Sequence, residues 1–202
     1  MEWAKWFEFR ISGDAATVKQ LSLMVDSAAR FVKAIRAGAM PYWLTLLGTS
    51  GAGKTYLARR IWRWYSRSSH FTAFVDEEGG AIDYPGSIVS WPSLAGELLG
   101  NAGYSTLEDL GREKLVILDE IGADRDPNGH VRDCLARLLS ARVRRWTIIT
   151  SNKSLGAIQR DIDTRISSRM CRDGSVVVDV DVPDFALRQE VQNLTPQIAG
   201  RA

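Results

Sequence analysis

The run Gly48-Thr49-Ser50-Gly51-Ala52-Gly53-Lys54-Thr55 holds the residue types and spacing that point most directly to chemistry. It fits G-x-x-x-x-G-K-[ST], a loop that binds phosphate. Its glycines let successive backbone N–H groups converge on phosphate oxygens, and the start of a helix adds partial positive charge. In such a loop Lys54 reaches the β- and γ-phosphates, and the Thr55 hydroxyl binds Mg²⁺. The geometry needs a strand before the loop and a helix after it. Trp43-Leu44-Thr45-Leu46-Leu47 is an apolar, strand-like run, and Tyr56 to Trp62 has helical spacing.

A second set of residues suits hydrolysis. Leu115-Val116-Ile117-Leu118 is an apolar strand that ends in Asp119-Glu120, about 60 residues beyond the loop. Asp119 is the candidate for the Mg²⁺ shell, through water, and Glu120 the candidate to orient or deprotonate an attacking water. Thr147-Ile148-Ile149-Thr150 runs into Ser151-Asn152-Lys153. Asn152 has two readings: a polar amide reaching the γ-phosphate or the water, or a helix cap. Arg165 and Arg169 are four apart, on one face of a helix. One reading delivers an arginine to a neighbouring subunit's γ-phosphate; the other is a surface pair bonded to Asp161 or Asp173.

These residues need a sheet to hold them. Ala15 to Ala37 reads as a helix with Val18, Leu21, Val25, Ala28, Phe31, Val32 and Ile35 along one face, closed by Gly38 and Pro41. Residues 1–13 are aromatic-rich and read as a short strand or an arm. Strands are expected at 43–47, 87–91, 114–118, 146–150 and 175–180. Helices are expected at 54–67, 92–99, 107–110, 129–143, 154–160 and 162–172, and a hairpin-like excursion at 71–84. The alternation predicts an α/β fold, a three-layer sandwich on a mostly parallel five-stranded sheet. The expected division is an arm and helix over 1–40, an ATPase core over 41–182, and a tail over 183–202 too short for a separate lid domain.

Composition narrows the class. The 202 residues are 45% hydrophobic, enough for one α/β domain with a sizeable core. No apolar run is long enough to span a bilayer, and the charged N-terminus has no signal-peptide core, so a cytoplasmic protein with no membrane partner is expected. Cys134 and Cys171 have no metal-ligand spacing and read as two core thiols. Net charge is only +2, which does not by itself demand a nucleic-acid partner. Arginine, however, supplies 20 of the 26 basic residues. It clusters at Arg59, Arg60, Arg63 and Arg67 and at Arg137, Arg142, Arg144 and Arg145. These clusters suit either phosphate contacts or a solvated helix face.

Four runs taken together carry a resemblance. The phosphate loop, Leu-Asp-Glu-Ile-Gly at 118–122, Ile-Thr-Ser-Asn-Lys-Ser-Leu at 149–155 and Arg-Ile-Ser-Ser-Arg-Met at 165–170 resemble the DnaC/IstB-like AAA+ ATPases. These are bacterial and phage helicase loaders and transposition helper ATPases. The resemblance covers roughly residues 42–182. It implies ATP and Mg²⁺ as ligands, with Lys54 and Thr55 as Walker A and Asp119 and Glu120 as Walker B. It further implies Asn152 as sensor 1, Arg169 as an arginine finger and Arg165 as the second arginine of that box. With no lid domain expected, the resemblance leaves a sensor-2 arginine unassigned, Arg188 being a candidate. The segment 92–111 resembles the helical insertion of loaders and initiators, although it carries Glu97, Glu108 and Asp109. The implied function is a phage or mobile-element helicase loader that oligomerises with ATP, grips single-stranded DNA and places a replicative helicase. In this chain any helicase contact falls to the aromatic segment around Trp3, Trp6, Phe7 and Phe9. The alternative within the family is a transposition helper that recruits a transposase. The alternative outside it is a small-molecule P-loop kinase, which would act as a monomer.

Overall fold

Short apolar runs closed by polar or glycine residues build the sheet, and amphipathic segments cover it. The computed structural model describes residues 2–67, 74–75, 81–82, 86–172 and 174–188. In chain order the elements are α1 (Glu2–Trp6), α2 (Ala15–Ala37), β1 (Trp43–Gly48), α3 (Lys54–Tyr65), β2 (Phe74–Val75), β3 (Ala81–Ile82), β4 (Ser87–Ser90), α4 (Trp91–Leu99), α5 (Tyr104–Arg112), β5 (Leu115–Asp119), α6 (His130–Ala141), β6 (Trp146–Thr150), α7 (Leu155–Asp161), α8 (Thr164–Met170) and β7 (Val176–Val180). Five strands form one sheet in the order β4-β5-β6-β1-β7, and every pairing in it is parallel. The expected sheet was mostly parallel; this one is wholly so. β2 and β3 pair antiparallel in a separate ribbon within the expected excursion, most of which lies outside the described residues.

Alternation along the strands divides the core into two layers. Leu44, Leu46, Leu115, Ile117 and Ile148 face α1, α2 and α3. Trp43, Leu47, Val116, Leu118 and Ile149 face α4, α5, α6, α7 and α8. The central strands β1, β5 and β6 are buried on both faces, which explains their nearly unbroken apolar runs. The predicted face of α2 packs inward except Val18, which is 37% exposed. Asp14 caps that helix by accepting from Thr17 N at 2.7 Å.

Four expectations are corrected by the packing. Residues 2–6 are helical rather than a strand or a free arm. Trp3, Trp6 and Phe7 stand at helical spacing and pack ring against ring, with Phe7 fully buried. The short helix expected at 107–110 runs from Tyr104 to Arg112. Of the two expected core thiols only Cys134 is buried; Cys171 caps the end of α8 and is exposed. Arg142 belongs to no solvated face and no phosphate site. Its guanidinium is fully buried and donates to the Leu110, Glu113, Lys114 and Trp146 carbonyls and to Thr147 Oγ1. These acceptors lie at the end of α5 and the starts of β5 and β6, where strand carbonyls need a donor.

Candidate nucleotide-binding site

The loop between β1 and α3 lies at the carboxyl end of the parallel strands, where open α/β sheets form their ligand crevice. Gly48 has φ 112° and Gly53 φ 95°, conformations that side chains rarely tolerate. A Cβ on Gly48 would meet the Val180 carbonyl oxygen at 1.9 Å, and one on Gly53 would meet the Phe9 ring at 2.7 Å. The two glycines therefore serve close approach as well as the turn. Thr49 ties the loop to the chain after β7. Its N–H donates to Val180 O at 3.0 Å and its hydroxyl to Val182 O at 2.6 Å.

Lys54 is the first residue of α3 and is 6% exposed. Its ammonium donates to Gly48 O at 2.8 Å, Thr49 O at 2.6 Å and Asn152 Oδ1 at 2.9 Å. Burial lowers its pKa, while Asp119, Asp179 and Glu120 pull the other way. The Thr55 hydroxyl donates to Asp119 Oδ1 at 2.7 Å, and the Thr150 hydroxyl reaches the same oxygen at 2.6 Å. Asp119 Oδ2 is left with Arg59 at 3.9 Å, an exposed guanidinium that binds it weakly. Glu120 has φ 64°, the left-handed region, and its N–H donates to Thr150 Oγ1 at 2.9 Å. That backbone turns the chain sharply at the strand end and leaves the Glu120 side chain exposed.

The donor set fits a magnesium–triphosphate group. A hydroxyl and a carboxylate converge as hard oxygen ligands, which suits Mg²⁺. A buried ammonium and a glycine-rich N–H loop adjoin them and suit phosphate. Lys54, Thr55, Asp119 and Asn152 are thus brought together, with Glu120 next to Asp119 at the same strand end.

A cavity of about 320 Å³ opens on the other side of the loop, lined by Phe9, Ala52, Gly53, Tyr56, Phe185 and Arg188 among others. Its walls come from both ends of the chain. Phe185 N donates to Gly51 O at 3.1 Å. Arg188 is 7% exposed and donates to Ser12 O at 3.3 Å and, more weakly, to Gly51 O at 3.5 Å. Its guanidinium lies 5.6 Å from the Phe185 ring, and burial lowers its pKa. Arg188 therefore sits against the loop beside Phe9 and Tyr56, in a cavity that Asp119, Glu120 and Asn152 do not line. Of these walls the sequence singled out Phe9 and Arg188, for other roles, and missed Tyr56 and Phe185. The signal available was the aromatic character of Phe9, Tyr56 and Phe185.

Arg165 and Arg169 lie on α8 and line one cavity of about 240 Å³ with Asp133, Arg137 and Ser140 of α6. Their partners differ. Arg165 donates to Asp163 and to Asp133, each at 2.8 Å, instead of the expected Asp161 or Asp173; Asp173 lies outside the described residues. Arg169 makes no ion pair among the described residues and is half-buried. Asp163, which also caps α8, has its pKa lowered chiefly by the Arg165 side chain.

A wholly parallel α/β sandwich with a phosphate loop at the carboxyl end of its sheet defines a P-loop NTPase fold. Within that class the fold is of the AAA+ type. No protein-family model matches the chain, and no curated protein sequence matches it. Solved structures do. The chain is similar to DnaI, at 22% identity over 83% of this chain and 86% of that one, with a TM-score of 0.60. It is similar to the DnaC helicase loader, at 17% identity over 87% and 96%, with a TM-score of 0.60. It is also similar to the replication initiator DnaA bound to AMPPCP and single-stranded DNA, at 13% identity and a TM-score of 0.65. That match covers 94% of this chain and 54% of DnaA, so the chain spans about half of the initiator's length. No helix among the described residues is long and apolar enough to cross a membrane.

Proposed function

We propose that this protein binds and hydrolyses ATP as a AAA+ switch in DNA replication: a helicase loader of the DnaC type that assembles with ATP on single-stranded DNA. The observation that carries the reading is the meeting of Lys54, Thr55, Asp119 and Asn152 at one end of the sheet. The likeness of fold to a helicase loader, and to an initiator bound to an ATP analogue and single-stranded DNA, supports the choice of nucleotide and partners.

In this reading the backbone N–H groups of the loop and the Lys54 ammonium hold the β- and γ-phosphates. Thr55 and Asp119 hold Mg²⁺, which when bound neutralises phosphate charge. Glu120 orients the attacking water and takes its proton as the water oxygen bonds to the γ-phosphorus and the bond to the β,γ-bridging oxygen breaks, leaving ADP and phosphate. Asn152 positions that water or a γ-phosphate oxygen. The adenine lies in the cavity between Phe9, Tyr56 and Phe185, with Arg188 at its wall. Arg169 serves a neighbouring subunit.

The test is steady-state ATP hydrolysis against protein concentration, with and without a short oligo(dT), read beside oligomeric state. A rate per chain that rises with concentration and with DNA is expected. Turnover that ignores both, in a chain that stays monomeric, would overturn the loader reading and favour a kinase-like monomer.

A further inference from the structure

A second, basic cavity adjoins the one beside the phosphate loop, sharing Glu8 with it, and lies between α1 and the end of α3. Trp6, Glu8, Arg60, Arg63, Trp64 and Arg67 line about 400 Å³ of open space there. Arg60, Arg63, Trp64 and Arg67 follow one another at i, i+3, i+4 and i+7, so α3 and the turn after it carry them on one stripe. Arg60 pairs with Glu8 at 2.5 Å. Arg63 and Arg67 are exposed, and no acidic partner lies on them among the described residues. Arg36 of α2 adds a fourth guanidinium 5.2 Å from the Trp64 ring. A helix C-terminus favours some positive charge, but like charges at this spacing repel. Trp6, 37% exposed, stands edge-on to Trp64 at 5.9 Å. Its indole packs on Trp3 and the buried Phe7 and leaves part of its surface open to the groove.

We propose that this groove is a binding surface for single-stranded DNA, with a base stacked against Trp6 and phosphates held by Arg63 and Arg67. The inference rests on the reading that the protein acts on single-stranded DNA, and it places the strand on the α1–α3 side of the sheet. Guanidinium forks match phosphate oxygens, and an indole beside them offers a platform for a base. A duplex has no open base face to present, so the platform selects unpaired strands. Glu8 is held by Arg60 through Oε1, and the contacts proposed for the strand, phosphates on guanidinium groups and a base face on an indole, do not depend on base identity; binding is therefore tolerant of sequence. An acidic protein segment would use the arginines but would gain less from the indole.

The experiment is fluorescence anisotropy of labelled oligo(dT) with the full chain and ATP, across a salt series. The Arg63→Glu/Arg67→Glu variant should bind at least tenfold more weakly. Its slope of log affinity against log salt should flatten by about 1.4, roughly 0.7 for each phosphate contact removed from a single strand. Trp6→Ala should lose about tenfold, and Trp6→Phe should retain most of the binding. Thermal midpoint and basal ATP hydrolysis should match the wild type in the arginine variant. Arg112→Glu/Arg144→Glu, on the α5–α6 side, should bind normally. The proposal is overturned if the arginine variant binds like wild type or if binding is lost through Arg112 and Arg144 instead. Competition by poly-glutamate as strong as by unlabelled oligo(dT) overturns it in favour of an acidic protein partner. Absence of wild-type binding even at low salt would sink the DNA reading itself, and it is distinguishable from insensitivity of the variants.

Discussion

The Lys54 ammonium donates to the Asn152 side-chain oxygen at 2.9 Å, joining the start of α3 to the loop that follows β6. Two more acceptors, Gly48 O and Thr49 O, complete its shell. The lysine is thus held inside the loop that would receive phosphate, and the asparagine is held beside it. Their expected contributions separate. Lys54→Ala removes a buried cation from the phosphates and should weaken ATP binding by roughly 100-fold or more, since hydrogen bonds to charged groups are worth about 1.5–3 kcal/mol each. Asn152→Ala should leave affinity within about threefold while slowing hydrolysis about 10- to 100-fold, one such bond's worth in the transition state. Calorimetric titration with ATP and a turnover assay check both. An Asn152→Ala chain with full turnover would reduce the residue to a lysine anchor.

Glu120 should matter only once water attacks. Its side chain is exposed, and its left-handed backbone turns it out of the strand beside Asp119. Glu120→Gln keeps the shape and removes the base. ATP affinity should stay within about twofold, and turnover should fall by about 10²- to 10⁴-fold, the range of general-base catalysis. Unchanged turnover would move the base elsewhere.

What the chain spelled out locally, it spelled out well. Leu115 to Leu118 and Thr147 to Thr150 are strands that central burial makes apolar, and they end in the acids and amide that meet Lys54. What stayed hidden depends on long-range meetings. Phe9, Tyr56 and Phe185 share a cavity although the first and last lie at opposite ends of the chain. Arg165 and Arg169 have the same type and the same face, and only the placement of Asp133 and Asp163 tells them apart. Arg142 looks like one more arginine in a surface cluster, because nothing in its neighbours reveals five acceptors waiting in the core.

Arg142 should accordingly be a stability residue. Arg142→Met fills part of the volume but removes the donor to the Leu110, Glu113 and Trp146 carbonyls and leaves the buried Glu113 carboxyl, already raised in pKa by burial, without its cation. Removing one partner from a buried charged cluster costs about 3–5 kcal/mol. Urea unfolding should show a loss of that order. A change within about 0.5 kcal/mol would mean that water satisfies the same carbonyls.

Asp163 supplies a pH signature. Arg165, with help from Arg132, holds its carboxyl below the ordinary value of 3.8. A depressed acid stabilises the fold fully above its unfolded pKa, and that contribution is lost as pH falls through the folded value. Asn caps a helix as well as Asp does, so Asp163→Asn removes the charge and keeps the cap. The variant should therefore be less stable than wild type at neutral pH. The gap should begin to narrow near pH 3.8 and close as pH falls through the lower folded value, below which both side chains are neutral. Thermal midpoints of both proteins across pH 2 to 7, the window in which that acid titrates, measure it. A gap that is constant with pH would show that the charge contributes nothing.

The two arginines of α8 should divide the work between one chain and its neighbour. Arg165 is held within the chain by Asp133 and Asp163, so it braces α8 against α6. Arg169, half-buried on the same helix, makes no ion pair among the described residues. If Arg169 reaches a neighbour's γ-phosphate, Arg169→Ala should bind ATP normally yet hydrolyse it about 10³-fold more slowly, the scale of losing an arginine finger. Arg165→Ala should instead lower the thermal midpoint and lose activity in step with α8. Mixing Arg169→Ala with Lys54→Ala separates the alternatives. The second chain cannot hold ATP but can lend its intact Arg169 to the first chain's intact loop, so mixed assemblies should regain turnover that neither chain has alone. The recovery should vanish on dilution, because it depends on contact between subunits. No recovery at any ratio, together with a wild-type rate per chain that ignores concentration, would mean that each chain completes its own site.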